Sequence, residues 1–157
     1  MFSRNYLEDK NKIIIIDFGS QVTKLIARRI RELGVYCEIL NLREFEKLKN
    51  FDEIKGIILS GGPSTVTKKT YPKISKKIFE KNIPVLGICY GLQLIAKIFG
   101  GKIKKSQKKR EFGEAVLIEK SKSQLFKNFY IKKKSKVWMS HEDAVSKLPK
   151  NFQNIAI

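Results

Sequence analysis

Two cysteines and one histidine are the residue types in this chain best suited to nucleophilic or acid–base chemistry. Their contexts differ. Cys89 lies in Gly87-Ile88-Cys89-Tyr90-Gly91, between an apolar segment and an amphipathic one. A nucleophile elbow has this construction: a sharp strand-to-helix turn flanked by glycines where side chains would clash. The sulfur then projects from the sheet, and the positive end of the following helix favours a thiolate. The backbone N–H of Tyr90 is placed to donate to an oxyanion. The alternative is an interior cysteine that merely follows a strand, because free cysteine is often buried. Cys37 has no such frame and reads as a core residue.

A second loop, Ser60-Gly61-Gly62-Pro63-Ser64, follows another apolar run. Paired glycines let backbone amides approach an anionic oxygen without a side chain intervening. Gly-Gly-Pro is also a common turn. Its position after the strand that precedes the elbow makes Gly62 the candidate second oxyanion donor. A third loop, Trp138-Met139-Ser140-His141-Glu142-Asp143, holds the histidine. Pairing His141 with Cys89 as base and nucleophile is tempting, but the residues alone do not require it.

The elements that must position these loops follow from hydrophobic patterning. Lys12 to Asp17 reads as a strand buried on both faces. After the turn Phe18-Gly19-Ser20, a helix is expected over Gln21 to Leu33. Val22, Leu25, Ile26, Ile30 and Leu33 form its apolar stripe, and Gly34 stops it. Further strands are expected at Val35–Leu40, Gly56–Ser60 and Pro84–Ile88. A short amphipathic piece covers Glu44–Lys49. A helix is expected over Pro72–Lys81, with Ile74, Ile78 and Phe79 inward. Another is expected over Gly91–Phe99, burying Leu92, Ile95, Ala96 and Phe99. Shorter strands are expected around Glu114–Glu119 and Val137–Met139. Strand–helix alternation implies an α/β domain, a mainly parallel sheet flanked by helices. Chemistry in such a sheet gathers at the carboxyl ends of the strands.

The chain has 157 residues, of which 42% are hydrophobic, enough for one domain with a core. Residues 1–11 read as a polar N-terminal extension and 12–157 as the domain. No cysteine spacing suggests a disulfide framework or a metal site, and no secretory signal or membrane span is visible. A cytoplasmic location without membrane contact is therefore expected. The formal charge is +18, which invites a nucleic-acid reading. The basic residues are mostly lysines dispersed along the whole chain. They read as a solvated basic surface instead of a specific nucleic-acid site. The runs Lys102–Arg110 and Lys132–Lys136 still attract anions at long range.

Five ordered motifs carry a resemblance. They are Asp17-Phe18-Gly19-Ser20-Gln21, Ser60-Gly61-Gly62-Pro63, Gly87-Ile88-Cys89-Tyr90-Gly91-Leu92-Gln93, Arg110-Glu111-Phe112-Gly113 and Val137-Trp138-Met139-Ser140-His141. Over residues 12–157 the chain resembles the class I (Cys-His-Glu) glutamine amidotransferases, a flavodoxin-like fold. Within them it is most similar to the amidotransferase domains of GMP synthetases.

The resemblance implies a glutaminase. Cys89 attacks the glutamine amide to form a thioester and ammonia, and water then releases glutamate. Gly62 and Tyr90 hold the oxyanion, and Gly61, Gln93, Ser140 and His141 bind the substrate. It further implies a partner, an ATP-pyrophosphatase module that uses ammonia to convert XMP to GMP. ATP and magnesium belong to that module. No metal or cofactor is expected in this domain, and no phosphate loop followed by Lys and Ser/Thr is present.

Two departures accompany the resemblance. Glu142 stands where the family has glycine. The family's base and orienting carboxylate lie in a Phe-His-Pro-Glu element beyond the 16 residues (157 − 141) that follow His141. The domain is therefore expected to be incomplete at the C-terminus, with His141 in the substrate loop and not in the triad. Losing acid–base assistance costs about 10²–10⁴-fold. The alternatives are a catalytically impaired fragment or a regulatory subunit of the same fold, and, against the dispersed lysines, a basic nucleic-acid-binding module.

Overall fold

A computed structural model describes residues 11–105, 111–129, 133–141 and 143–157. Two compact units divide the chain, residues 1–95 and 96–157.

In the first unit, the isoleucine run forms strand β1 (Lys12–Asp17), with Ile14, Ile15 and Ile16 fully buried. Successive side chains point to opposite faces of a strand, so burial of all three means that both sheet faces are covered. β1 is flanked by β2 (Cys37–Asn41) and β3 (Ile54–Leu59), and β4 (Val85–Gly87) pairs with β3. All three pairings are parallel, in the order β2-β1-β3-β4. The register sets Ile15 beside Ile39 and Ile58, and Leu59 beside Gly87. Both catalytic-loop candidates, after Leu59 and after Gly87, therefore leave the same edge of neighbouring strands.

Helix α1 (Thr23–Glu32) covers one face. Ile15, Ala27, Cys37 and Ile58 form a buried cluster there, with Ile13, Ile26, Ile30, Ile39, Leu86 and Ile88 packed against it. The inward stripe is Thr23, Ile26, Ala27 and Ile30, one face at helical spacing. Val22, Leu25 and Leu33 of the expected stripe are exposed instead. The small residues Thr23 and Ala27 let the helix approach the sheet closely, which turns Leu25 outward.

A short helix α2 (Leu42–Glu46) has a capping box. The Asn41 side chain accepts from the Glu44 N–H, and the Glu44 carboxylate accepts from the Asn41 N–H. The expected helix over Pro72–Lys81 is reduced to a 3-10 helix at Lys76–Lys81, begun by Ser75. Pro72 and Ser75 explain the late start, since proline disfavours helical backbone before it and serine caps. Ile74 and Ile78 are buried as expected.

Helix α3 (Tyr90–Ile98) follows the elbow, and the division between the units falls within it. Tyr90, Leu94, Ile95 and Ala96 are buried, whereas Leu92, expected inward, is half exposed. The inward line runs through Tyr90 and Leu94, four residues apart, which leaves Leu92 on the far side.

In the second unit, two antiparallel pairs form: β5 (Lys102–Lys105) with β8 (Asp143–Lys147), and β6 (Glu111–Ile118) with β7 (Lys134–His141). The β6–β7 pair is longer than the sequence pattern suggests. β5 and β8 carry no apolar alternation strong enough to announce them. Ile118 and Ile157 exchange two backbone hydrogen bonds, and the Phe99 and Phe152 rings pack at 5.4 Å.

Candidate active site

Two residues, Ile88 and Cys89, turn the chain from β4 into α3. Cys89 adopts φ +51°, a left-handed backbone conformation that is unfavourable for a residue with a side chain. The surrounding hydrogen bonds hold it there. Ile88 N–H donates to the Leu59 carbonyl at 3.0 Å, and Gln93 N–H donates to the Cys89 carbonyl at 3.1 Å. Gly91 N–H is shared between the Ile88 and Ser60 carbonyls, at 3.0 and 3.1 Å.

The flanking glycines are steric necessities. A Cβ on Gly87 would lie 2.6 Å from the Leu92 nitrogen, and one on Gly91 would come within 3.0 Å of the Leu59 backbone. The elbow anticipated from sequence is thus present in backbone geometry as well as in spacing. Cys89 is partly exposed and Cys37 is buried, and neither is in a disulfide. The Cys37 thiol lies 3.5 Å from the Ala27 carbonyl, in the core as expected.

The glycine loop lies against the elbow. A Cβ on Gly61 would stand 3.4 Å from the Cys89 Cβ and 3.5 Å from Ser20 Oγ. One on Gly62 would come within 3.0 Å of the Phe18 carbonyl oxygen. A side chain at Gly61 would therefore fill the space between Cys89 and Ser20 at ordinary contact distance, whereas one at Gly62 would displace the loop from the turn after β1. That turn is organised by Asp17, whose Oδ1 accepts from Gly19 N–H (2.9 Å), Ser20 N–H (3.2 Å) and Thr23 Oγ1 (2.7 Å). An acidic side chain bonded to backbone amides just after its own position stabilises such a turn.

Tyr90, whose N–H is the other oxyanion candidate, is 1% exposed. Its ring packs on Phe18 with centroids 5.1 Å apart, and its phenol donates to the Pro72 carbonyl. Burial, with a smaller contribution from Tyr71, raises the phenol pKa to about 12. It therefore remains a neutral donor. Gln93, one helical turn after Cys89, is buried. Gly61, Gly62, Cys89, Tyr90 and Gln93 all belong to the first unit.

Ser140 and His141 belong to the second unit. The expected loop around them is a correction: both are in strand β7, with Ser140 opposite Phe112 and His141 opposite Glu111. Eight consecutive pairs with β6 satisfy the backbone there, so the segment is ladder and not turn. Arg110 and Glu142 lie outside the described residues. Among the described residues, no group of three or more His, Cys, Asp or Glu is arranged to hold a metal ion.

Sequence reading missed three supporting residues: Asp17, Ser60 and Pro72. Asp17 and Ser60 sit where strands β1 and β3 end, the one available signal. The role of Pro72 depends on a contact 18 residues distant, which no local pattern encodes.

The sequence matches the family Glutamine amidotransferase class-I over residues 14–157. That decides the matter. This chain belongs to the class-I glutamine amidotransferase family. Among its relatives, the glutamine-hydrolyzing GMP synthase of Wolinella succinogenes is 49% identical over 96% of this chain and 29% of its own length. The Borrelia garinii GMP synthase is 44% identical over 98% of this chain and 29% of its own length. This amidotransferase chain therefore spans about 29% of the length of those curated relatives.

Among solved structures, a GMP synthase subunit from Thermoplasma acidophilum superposes with a TM-score of 0.76 at 30% identity. The match covers 93% of this chain and 72% of that one. A glutamine amidotransferase from Thermotoga maritima matches with a TM-score of 0.75 at 22% identity, over 94% of this chain and 66% of that one, and supports the fold alone. The parallel sheet with flanking helices is thus the amidotransferase fold. No helix among the described residues is long and apolar enough to cross a membrane.

Proposed function

We propose that this chain is the glutamine-hydrolysing part of a GMP-forming enzyme, with Cys89 as nucleophile. The observation that carries the reading is the left-handed backbone of Cys89 at a two-residue turn between β4 and α3, with Gly61 packed beside it. A strained residue held by its surroundings is what a preorganised nucleophile requires.

In this reading the Cys89 thiolate adds to the side-chain carbonyl of glutamine, forming a C–S bond as the C=O π pair becomes an alkoxide. The N–H groups of Gly62 and Tyr90 bind that alkoxide. Collapse re-forms the C=O and breaks the C–N bond, and the departing nitrogen takes a proton from water and leaves as ammonia. Water then attacks the thioester and releases glutamate. Gly61 and Gln93 position the glutamine. His141 is not the base.

Ammonia is consumed by an ATP-pyrophosphatase module that aminates XMP, and ATP and magnesium belong to that module. The relatives support this step: they are named GMP synthases and are far longer than this chain. A cytoplasmic setting fits such a metabolite exchange.

The test is labelling with a diazoketone analogue of glutamine, followed by peptide mapping. Cys89 is expected to be modified and Cys37 spared. Equal labelling of the two, or modification at Cys37 alone, rejects Cys89 as nucleophile.

A further inference from the structure

Ser60 has no exposed surface, and its hydroxyl is engaged on both sides. Its Oγ accepts from the Phe18 backbone N–H at 3.1 Å and donates to the Gly61 carbonyl at 2.8 Å. Its own backbone is tied as well. The Ser60 N–H donates to the Ile16 carbonyl, and the Ser60 carbonyl accepts from the Gly91 N–H, both at 3.1 Å. One buried residue therefore joins the end of β1, the glycine loop and the first turn of α3.

The bond to the Gly61 carbonyl has a geometric consequence. No cis peptide occurs among the described residues, and a trans peptide is planar, with its C=O and N–H pointing in opposite directions. Holding the Gly61 oxygen against the Ser60 hydroxyl therefore fixes which way the Gly62 N–H points. Such a restraint is needed here because a peptide between two glycines turns with little steric resistance. We propose that Ser60 is a positioning residue: its hydroxyl orients the Gly61–Gly62 peptide so that the Gly62 N–H faces the oxyanion. The inference rests on the reading of Cys89 as nucleophile and Gly62 as donor, and it names the group that keeps that donor aimed.

A residue that merely holds the fold together would affect every reaction of Cys89. A residue that aims an oxyanion donor affects only reactions that develop an alkoxide. Two reagents separate these cases. With a chloroketone analogue of glutamine, sulfur replaces chloride after the carbonyl has taken on alkoxide character, and chloride departs with the negative charge. With iodoacetamide, sulfur displaces iodide at a saturated carbon and no alkoxide forms.

The experiment compares the wild-type chain with Ser60→Ala and Ser60→Thr, following Cys89 modification by mass spectrometry over a range of reagent concentrations. For Ser60→Ala, the maximal chloroketone rate is expected to fall about 10- to 100-fold, below the loss from deleting an oxyanion donor outright. Its half-saturating concentration and the iodoacetamide rate should stay at wild-type values. Ser60→Thr, which keeps a hydroxyl, should recover most of the chloroketone rate. If Ser60→Ala shows no cooperative thermal transition, Ser60→Cys carries the same comparison with a weaker donor. An unchanged chloroketone rate, or equal changes with both reagents, overturns the positioning role while leaving Cys89 as nucleophile. If the wild-type Cys89 shows no preference for the chloroketone over iodoacetamide, the nucleophile reading fails, and the role of Ser60 falls with it.

Discussion

The Tyr90 phenol donates to the Pro72 carbonyl, tying the first residue of α3 to a segment 18 positions earlier in the chain. The segment between Leu59 and Lys76 contains no helix or strand; beyond the bonds of Ser60 at its start, this bond and the buried Val66 and Ile74 side chains help to anchor it. Tyr90→Phe keeps the ring against Phe18 and removes the donor. The expected loss is about 0.5–1.5 kcal/mol, the net worth of one hydrogen bond whose acceptor stays partly accessible to water. Urea denaturation measures it, and hydrogen exchange should rise first in residues 61–75.

The same phenol gives a pH signature. Burial raises its pKa to about 12, from an ordinary value of 10.0. The folded state keeps the proton over a range in which the unfolded chain loses it. This contribution is complete below pH 10 and is lost as pH rises toward 12. The Tm advantage of the wild type over Tyr90→Phe should therefore shrink across that interval. An advantage that grew with pH would contradict the assignment.

Gly56 in β3 and Gly91 in the first turn of α3 should respond oppositely to alanine. Gly91→Ala places a methyl within 3.0 Å of the Leu59 backbone and is expected to cost about 1–3 kcal/mol through overpacking. Gly56→Ala meets nothing closer than 3.7 Å. It should be neutral or stabilising by up to about 1 kcal/mol, because it restricts the unfolded chain. Urea midpoints of the two variants decide this.

Cys89→Gly should abolish labelling by glutamine analogues without lowering stability. Cys89 is held at φ +51°, where strain costs on the order of 1–3 kcal/mol. Glycine relieves the strain but gives back about 0.5–1 kcal/mol in chain entropy. A higher urea midpoint is expected. A clear drop would mean that the elbow is unstrained.

With a formal charge of +18, the chain should bind nucleic acid weakly, without sequence preference, and lose that binding at moderate salt. Fluorescence anisotropy with duplexes of unrelated sequence tests this. Tight, sequence-selective binding at physiological salt would reverse the reading of the lysines as solvated surface.

The sequence by itself determined the elbow, the glycine loop and the parallel sheet beneath them. These features depend on neighbours along the chain: an isoleucine run long enough for one strand, glycines flanking a cysteine, and a stripe at helical spacing. Tertiary structure decided which faces were inward. Thr23 and Ala27, not Val22 and Leu25, meet the sheet, because the distance of closest approach depends on what lies opposite. Leu92 turned outward for a related reason, once Tyr90 and Leu94 had taken the buried line of α3. Ser140 and His141 looked like loop residues because nothing nearby in sequence announces a partner strand. Their place in β7 comes from pairing with β6, whose residues lie more than twenty positions earlier. Ser60 shows the same division. Its position after an apolar strand was legible, but the two hydrogen bonds of its hydroxyl exist only because Phe18 and Gly61 are brought to it by the fold.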